Sequence, residues 1–377
     1  MEKNEYLRCN CSRFRCCRSY DRAKAIPDRP PSSCYRKKSS FASGPSTRNE
    51  GWLHRGTYHA CSITNQESAF QVARRCIYGH KQLKAFCPEA IEDLDKRPVV
   101  LLREGDRIDE VKGRWDDAGV SFRQISHKKA RKLLPDADIN RAEGIFLARD
   151  VSINTRLLYR KLVGTARVYG CEFFTSHDVI RVEGTELHIA DQDKAVKKIS
   201  ANRIIYTTGA GTRSLFKKLH GIDIPMRYWK SHLVVTRRVA PMGVFYLDAH
   251  EAAMMHHGDV SIIGFNEDAL LCDDPSYDVV ADRAQNLRDG IRRIFPNWND
   301  STSIDIACVK VDLFEESNTA RSLNVAVREL VPNHIIALPG KLTEIPYLTD
   351  ALVGLIHETI EDPFISERPC DRYVSAA

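Results

Sequence analysis

Three glycine-bearing turns constrain this chain more than any other feature. They fall at residues 43–59, 207–213 and 339–344, with long stretches of different character between them. Two share a layout. Ile204, Ile205 and Tyr206 make an apolar strand that runs through Thr207-Thr208-Gly209-Ala210-Gly211 into the helix SLFKKLHG. Ile335 to Leu338 runs through Pro339-Gly340-Lys341 into a helix that turns Leu348, Leu352, Leu355 and Ile356 inward. A strand ending in a glycine turn at a helix start is the nucleotide-facing corner of a doubly wound α/β sheet. Backbone donors at the helix N-terminus can meet a phosphate or a polar ring there. Tight turns without a ligand also carry two glycines, so neither corner decides the matter alone.

The first turn is the richest. Ser40 to His59 (SFASGPSTRNEGWLHRGTYH) holds Gly44, Gly51 and Gly56 beside serines, Arg48, Asn49, Trp52, His54 and His59. A core strand or helix has little use for that mixture. A loop laid against a polar, planar ligand does, because glycine lets backbone N–H groups approach and the polar side chains set orientation. The competing reading is a surface loop around one buried tryptophan.

Elsewhere the patterns are ordinary. Residues 65–90 have helical spacing through Phe70, Val72, Ala73, Cys76, Ile77 and Leu83, and Pro88 ends the run. RPVVLLR (97–103) and Gly144–Leu147 are short strands, with a helix-strand-helix between them in which Ser126 caps KKARKLL. Asn154 or Thr155 caps a helix with Leu157, Leu158, Leu162, Ala166 and Val168 inward. CEFFTSHDVIRVEG follows as a strand. Residues 226–330 alternate as antiparallel strands do, around a helix with Ala281, Ala284, Leu287, Ile291 and Ile294 on one face.

The chain has 377 residues, which is enough for two or three domains. No apolar run approaches the roughly 18 residues that span a membrane, and the start lacks the apolar segment of a secretory signal. The expectation is a cytoplasmic protein. The formal charge of +6 is concentrated in the head, where no groove-reading motif accompanies it, so no nucleic-acid partner is expected. Five of the twelve cysteines (Cys9, Cys11, Cys16, Cys17, Cys34) also lie there. They form no pair of C-x-x-C units, so no metal site is expected. A metal-binding or nucleic-acid-binding head is the reading set aside.

With these turns in hand, the chain resembles the FAD-dependent oxidoreductases of the D-amino-acid oxidase superfamily. Within it, the similarity leans to the flavin-bearing subunits of glycerol-3-phosphate dehydrogenases. Ser43–Tyr58 resembles their S-G-x-S-x-R-N-x-G-x-x-H-x-G-x-x-Y flavin loop. Thr207–Gly211 is similar to their post-strand turn, and Pro339–Thr343 to their G-G-K-L-T segment, with proline in place of the first glycine. The resemblance implies FAD as cofactor and hydride transfer from a small hydroxy or amino compound to the flavin. It implies an α/β fold: a discontinuous Rossmann-like FAD-binding domain (residues 37–90, 150–222 and 331–362) with an α+β antiparallel-sheet substrate domain (91–149 and 223–330), and a tail at 363–377. It makes Ser43, Ser46, Arg48, Asn49, Gly51, Gly56, Thr208, Gly209, Gly211, Gly340, Lys341, Leu342 and Thr343 cofactor-binding residues. His54 becomes the catalytic residue, close to the ring and placed to take a substrate proton. His232, Tyr246, His256 and His257 are candidates for the substrate face. Arg227, Lys230, Arg237 and Arg321 are candidate cations for a phosphate-bearing substrate. The electron acceptor is left open among oxygen, a quinone and a partner protein.

One family element has no counterpart. A strand running into G-x-G-x-x-G should stand near the start, and residues 1–36 hold Arg, Cys, Ser and Pro instead. They read as a disordered or frameshifted segment. Read one base downstream, Leu7–Arg18 permits Tyr-Asp-Val-Ile-Val-Val-Gly-Ser-Gly-Val-Ala-Gly, because cysteine codons become those of valine or alanine and arginine codons include those of glycine. The alternative is an FAD-free relic acting as an interaction protein.

Overall fold

The computed structural model describes residues 6–7, 32–37, 44–92, 97–248, 251–265, 269–314 and 321–357. The largest unit is a nine-stranded sheet. Its strands are, in order, Leu270–Cys272, Met226–Arg237, Val260–Phe265, Ala252–His257, Val244–Tyr246, Val99–Leu102, Gly144–Leu147 and Arg123–Gln124, with Ile304–Leu313 also paired to Met226–Arg237. The pairing is antiparallel except where Val244–Tyr246 runs parallel to Val99–Leu102.

The unbroken run Val99-Val100-Leu101-Leu102 follows from burial on both faces of that sheet. Val99 and Leu101 point into a core shared with Leu287, Ile291 and Ile294 of the helix Ala281–Ile294. Val100 and Leu102 point the other way, toward Trp115 of the helix Ile108–Ala118 and Phe146. Trp115 is fully buried, and its indole N–H donates to Thr57 O at 2.8 Å. That bond fastens the sheet's helical cover to the first glycine turn.

The remaining strands form smaller sheets. Ile204–Tyr206 and His334–Leu338 pair in parallel, with Ala326–Val331 antiparallel on the outer side. Ser32–Arg36 pairs in parallel with Cys171–Thr175. Asp178–Glu183, Glu186–Ala190 and Val196–Ala201 form a meander, with Tyr6–Leu7 parallel to its last strand. Trp52–Leu53 and Ile91–Glu92 flank Val151–Ile153.

Several expectations change in detail. Ser32–Arg36 is a strand in the sequence as written, where no apolar pattern announced one; Cys9, Cys11, Cys16 and Cys17 lie outside the described residues. The single strand expected over 171–184 breaks in two, because Ser176 takes a left-handed φ of 58°. Val168 is 84% exposed, since the helix Thr155–Val168 ends there and its last turn has left the core. Ala281 is exposed at the first turn of its helix for the same reason. Asn154, rather than Thr155, is the cap: its side chain accepts from Leu157 N at 3.1 Å. No helix among the described residues is long and apolar enough to cross a membrane.

The helix Gln66–Phe86 carries the site's scaffold. Gly79 on it is pressed against the third turn so closely that a Cβ would lie 1.7 Å from Thr343 O. Gly79→Ala must therefore push the two apart, and we expect a loss of about 1–3 kcal/mol or more in urea unfolding. Unchanged stability would show that the helix and turn are not so tightly docked.

Candidate active site

The first turn is an internally braced loop. Asn49 Nδ2 donates to Pro45 O and Ser46 O, each at 3.0 Å, and its Oδ1 accepts from Gly51 N at 2.8 Å. Asn49 is thus consumed in holding the loop's own shape. Gly51 sits at φ 59°, and a Cβ there would meet His257 at 2.3 Å and Ile153 O at 2.9 Å. Only glycine meets both demands. Gly56, at φ 86°, lies against Ala73 of the helix Gln66–Phe86. Ser46 and Arg48 are exposed at the loop tip, and Ser43 lies outside the described residues.

His54 stands where the first and third turns meet. Its backbone N–H donates to Thr343 Oγ1 at 3.1 Å. Its ring stacks on Trp52 at 5.3 Å and meets His59 edge-on at 4.6 Å. Nδ1 lies 3.7 Å from Asp150 Oδ1, an ion-pair distance too long for a hydrogen bond. Asp150 is buried and also accepts from Arg55 N at 2.8 Å and from the Thr57 hydroxyl. Burial pushes its carboxyl up, but His54, Thr57 and the Arg55 N–H outweigh that and hold it below the usual carboxylate range.

The third turn supplies charge. Glu344 is fully buried and accepts from Arg75 Nε at 2.8 Å, while Arg75 Nη2 reaches Asn324 Oδ1 at 3.3 Å. Gly340 cannot carry a side chain, because a Cβ would sit 2.1 Å from Leu323 O. Arg321 Nη2 donates to Gly340 O at 3.3 Å. Lys341 is half-buried as a residue, but its Nζ is shut off from solvent and has no hydrogen-bond partner. Burial lowers the Lys341 ammonium to about 8, against the opposing pull of Glu344. His59 is pushed well down by burial and then by the charges of Lys341, His54 and Arg321. Buried His59 Nδ1, Arg321 Nε and Trp52 Nε1 likewise have no partner.

The structure therefore brings His54, Gly51, Gly56, Gly340, Lys341, Leu342 and Thr343 into one neighbourhood. Thr208, Gly209 and Gly211 lie off to one side. Their turn touches the strand Ile304–Leu313, which also borders the loop tip Pro45–Thr47. No hydrogen bond among the described residues joins this turn to the other two. Thr208 Oγ1 is paired with Thr212 Oγ1 at 2.9 Å, and Gly209, at φ 56°, has open space around it.

The second-domain candidates are occupied elsewhere. His232 Nε2 accepts from Val280 N at 3.0 Å, and His256 Nδ1 pairs with Ser261 Oγ at 2.9 Å. His257 is held between Glu92 and Glu50 O, and Tyr246 is core, with Arg103 over its ring. Arg227 is bidentate on Asp312, and Lys230 bonds Ser276 Oγ at 2.9 Å. Arg237 is exposed at its strand's end. Of the four candidate cations, only Arg321 stands beside Lys341. Asp150, Arg75, Glu344 and His59 were missed by sequence reasoning. Asp150, Arg75 and Glu344 belong to no recognisable spacing, and His59 sits inside the first stretch without a motif position.

A family model for FAD-dependent oxidoreductases (DAO) matches residues 35–312. The chain belongs to the FAD-dependent oxidoreductase family. Solved structures of the same fold include three enzymes of low sequence identity. One is glycine oxidase from Geobacillus kaustophilus (14% identity, 88% of this chain and 89% of that one, TM-score 0.66). Another is FAD-bound L-alpha-glycerophosphate oxidase from Mycoplasma pneumoniae (15%, 86% and 88%, TM-score 0.68). The third is L-proline dehydrogenase from P. horikoshii (15%, 89% of each, TM-score 0.68). No curated protein sequence matches the chain. The cofactor of this FAD-dependent oxidoreductase family suits the side chains present. Lys341 Nζ, Arg321 Nε and Trp52 Nε1 are buried donors without acceptors. A flavin ring is planar, rich in acceptors and able to carry negative charge.

Lys341 gives a pH signature. Its folded-state pKa, about 8, is below the 10.5 of a free lysine, so the unfolded chain binds the proton more tightly between those values. The protein is penalised below about pH 8, and stability rises relative to a neutral replacement as pH climbs toward 10.5. Lys341→Met should remove that penalty, on the order of 1–3 kcal/mol at pH 7. Urea unfolding of both proteins from pH 7 to 10.5 checks it, since the difference between them isolates this one group.

Proposed function

We propose that this chain is an FAD-dependent dehydrogenase or oxidase that acts on a small hydroxy or amino compound bearing an anionic group. The observation that carries the reading is the buried Lys341 ammonium beside Arg321, neither fully neutralised, at the junction of the first and third turns. When bound, FAD supplies the hydride acceptor.

The chain's own residues would then divide the work. Lys341 and the backbone of Gly340, just ahead of the helix Ile345–His357, offer positive potential to the N1 and C2=O edge of the flavin. Gly51 and Gly56 let the first loop approach without side-chain obstruction, with Leu342 and Thr343 fixing the opposite wall. Ser43, Ser46, Arg48 and Asn49 belong to the same loop, Asn49 by bracing it. Thr208, Gly209 and Gly211 serve the more distant part of the cofactor. His54 keeps Nδ1 toward the Asp150 carboxylate, which leaves Nε2 to take the substrate's O–H or N–H proton. Asp150 then stabilises the imidazolium. Arg321 receives the substrate's carboxylate or phosphate. The nine-stranded sheet, whose strands fall within residues 99–147 and 226–313, supports a substrate domain over most of 91–149 and 223–330, although the boundary strands Ile91–Glu92 and Ala326–Val331 pair with strands of the FAD-binding segments.

A second reading keeps the fold and drops the chemistry. Residues 1–36 contain no G-x-G-x-x-G. That sequence fact favours a chain with a weakened ADP site and a role as an interaction protein.

Flavin content separates the two readings. The purified chain should be yellow, or become so when FAD is added, and its flavin should bleach anaerobically with one of glycerol 3-phosphate, a 2-hydroxy acid or an amino acid. Arg321→Met should weaken the active compound by about 10–100-fold, the value of a charge-assisted bond. His54→Gln should slow bleaching by about 10²–10⁴-fold. A colourless chain that takes up no FAD, while a version with residues 6–36 restored to the shifted frame does, would establish the second reading.

A further inference from the structure

Away from this site, three titratable side chains converge at the other end of the parallel pair Ile204–Tyr206 and His334–Leu338. Tyr206 Oη lies 2.9 Å from His220 Nε2 and 3.0 Å from His334 Nδ1. His334 Nε2 lies 2.7 Å from Gly184 O, at the turn of the meander. The two imidazoles meet edge-on with centroids 4.5 Å apart. Tyr206 and His334 are buried, while His220, the last residue of its helix, is half-buried and offers a way in.

The proton positions follow from these contacts. A carbonyl oxygen only accepts, so His334 Nε2 carries the proton and Nδ1 presents its lone pair to Tyr206. Tyr206 O–H donates to that nitrogen and accepts from His220 Nε2–H. A histidine whose far nitrogen is tied to a backbone carbonyl, with the near one aimed at a shared point, is arranged as metal-ligating histidines are. Burial lowers both imidazoles, which keeps them in the neutral, ligating form at neutral pH. Glu329 adds negative charge near His334.

We propose that Tyr206, His220 and His334 form a binding site for a borderline divalent transition metal such as Zn²⁺ or Co²⁺. Bonds of about 2.0–2.2 Å set tetrahedral ligands about 3.3 Å apart, so the two separations from Tyr206 Oη, 2.9 and 3.0 Å, need widen by only a few tenths of an ångström. On binding, the Tyr206 O–H bond breaks, its proton leaves to solvent and an oxygen–metal bond forms. His220 shifts its ring proton from Nε2 to Nδ1, and no electrons are transferred. Burial pushes the Tyr206 phenol up, and the metal's charge has to offset that. The bound ion would clamp the helix Thr212–His220, the strand ahead of Thr208 and the strand that leads to Gly340.

Cobalt(II) titration of the full chain tests this, followed by visible absorption and by thermal melting. Thiolate ligation gives intense near-ultraviolet charge-transfer bands, whereas imidazole and phenolate ligands give weak visible bands, so cysteine sites are distinguishable. We expect one equivalent with the second kind of spectrum and a rise in Tm. His220→Gln, at a half-buried helix end, should weaken binding at least tenfold while its metal-free melting curve stays cooperative. Tyr206→Phe should weaken it as well. His188→Gln probes the cluster Glu183, Glu186 and His188, whose ligand atoms lie within 4.8 Å of one another, and should change nothing. Absence of binding, a thiolate spectrum, an unaltered His220→Gln titration or a loss in His188→Gln would each overturn the assignment.

Discussion

Glu344 and Arg75 meet at 2.8 Å with the carboxylate fully out of water, and much of the site depends on that contact. A buried ion pair contributes little net stability against an apolar pair, but losing one partner strands a charge and typically costs about 3–5 kcal/mol. The pair therefore acts as a register pin. It fixes residues 340–344 on the helix Gln66–Phe86, at the point where Gly79 allows backbone contact with Thr343. Thr343 in turn takes the His54 N–H, which sets the first turn against the third. Segments 289 positions apart, at His54 and Thr343, are so brought together by one ion pair, one glycine and one hydroxyl.

The electrostatics around this junction are uneven. Asp150 has several donors, Glu344 is paired through Oε1 with Arg75 while its Oε2 has no partner, and Glu50 is held below the usual carboxylate range, burial being offset by Lys310, its own backbone N–H and His54. Lys341, Arg321 and His59 are instead depressed by burial. Asp150 is satisfied by the protein, whereas Lys341 Nζ, Arg321 Nε and Glu344 Oε2 are buried without a hydrogen-bond partner. Two unpartnered cationic groups against one carboxylate oxygen favour an anion here.

Most of the secondary structure was legible because its signals are local. Asn65, Ser126 and Asn154 all cap the helices that follow them, since a short polar side chain before an apolar period satisfies the first free N–H groups. Faces were read less well at helix ends. Val168 and Ala281 lie on the apolar stripe by spacing, yet the terminal turns extend past the core. Among the site residues, Gly51, Gly56 and Gly340 were legible because backbone geometry leaves no other choice. His232, His256 and His257 stood as candidates for the substrate face, and each is absorbed by a hydrogen bond that no spacing rule reports.

From the sequence alone came the family, the three turns and the identity of His54 and Lys341 as candidates. Each rests on residues close together in the chain, where glycine, cap and strand signals act over a few positions. Tertiary structure decided which charges are free to act. Arg227 and Arg321 are the same residue type, 14 positions past one turn and 18 before another, and those spacings give no warning of difference. Arg227 is spent on Asp312, and Arg321 is left with an unpartnered Nε beside Lys341. Whether a side chain is neutralised depends on what the fold sets against it, and those partners are distant in sequence.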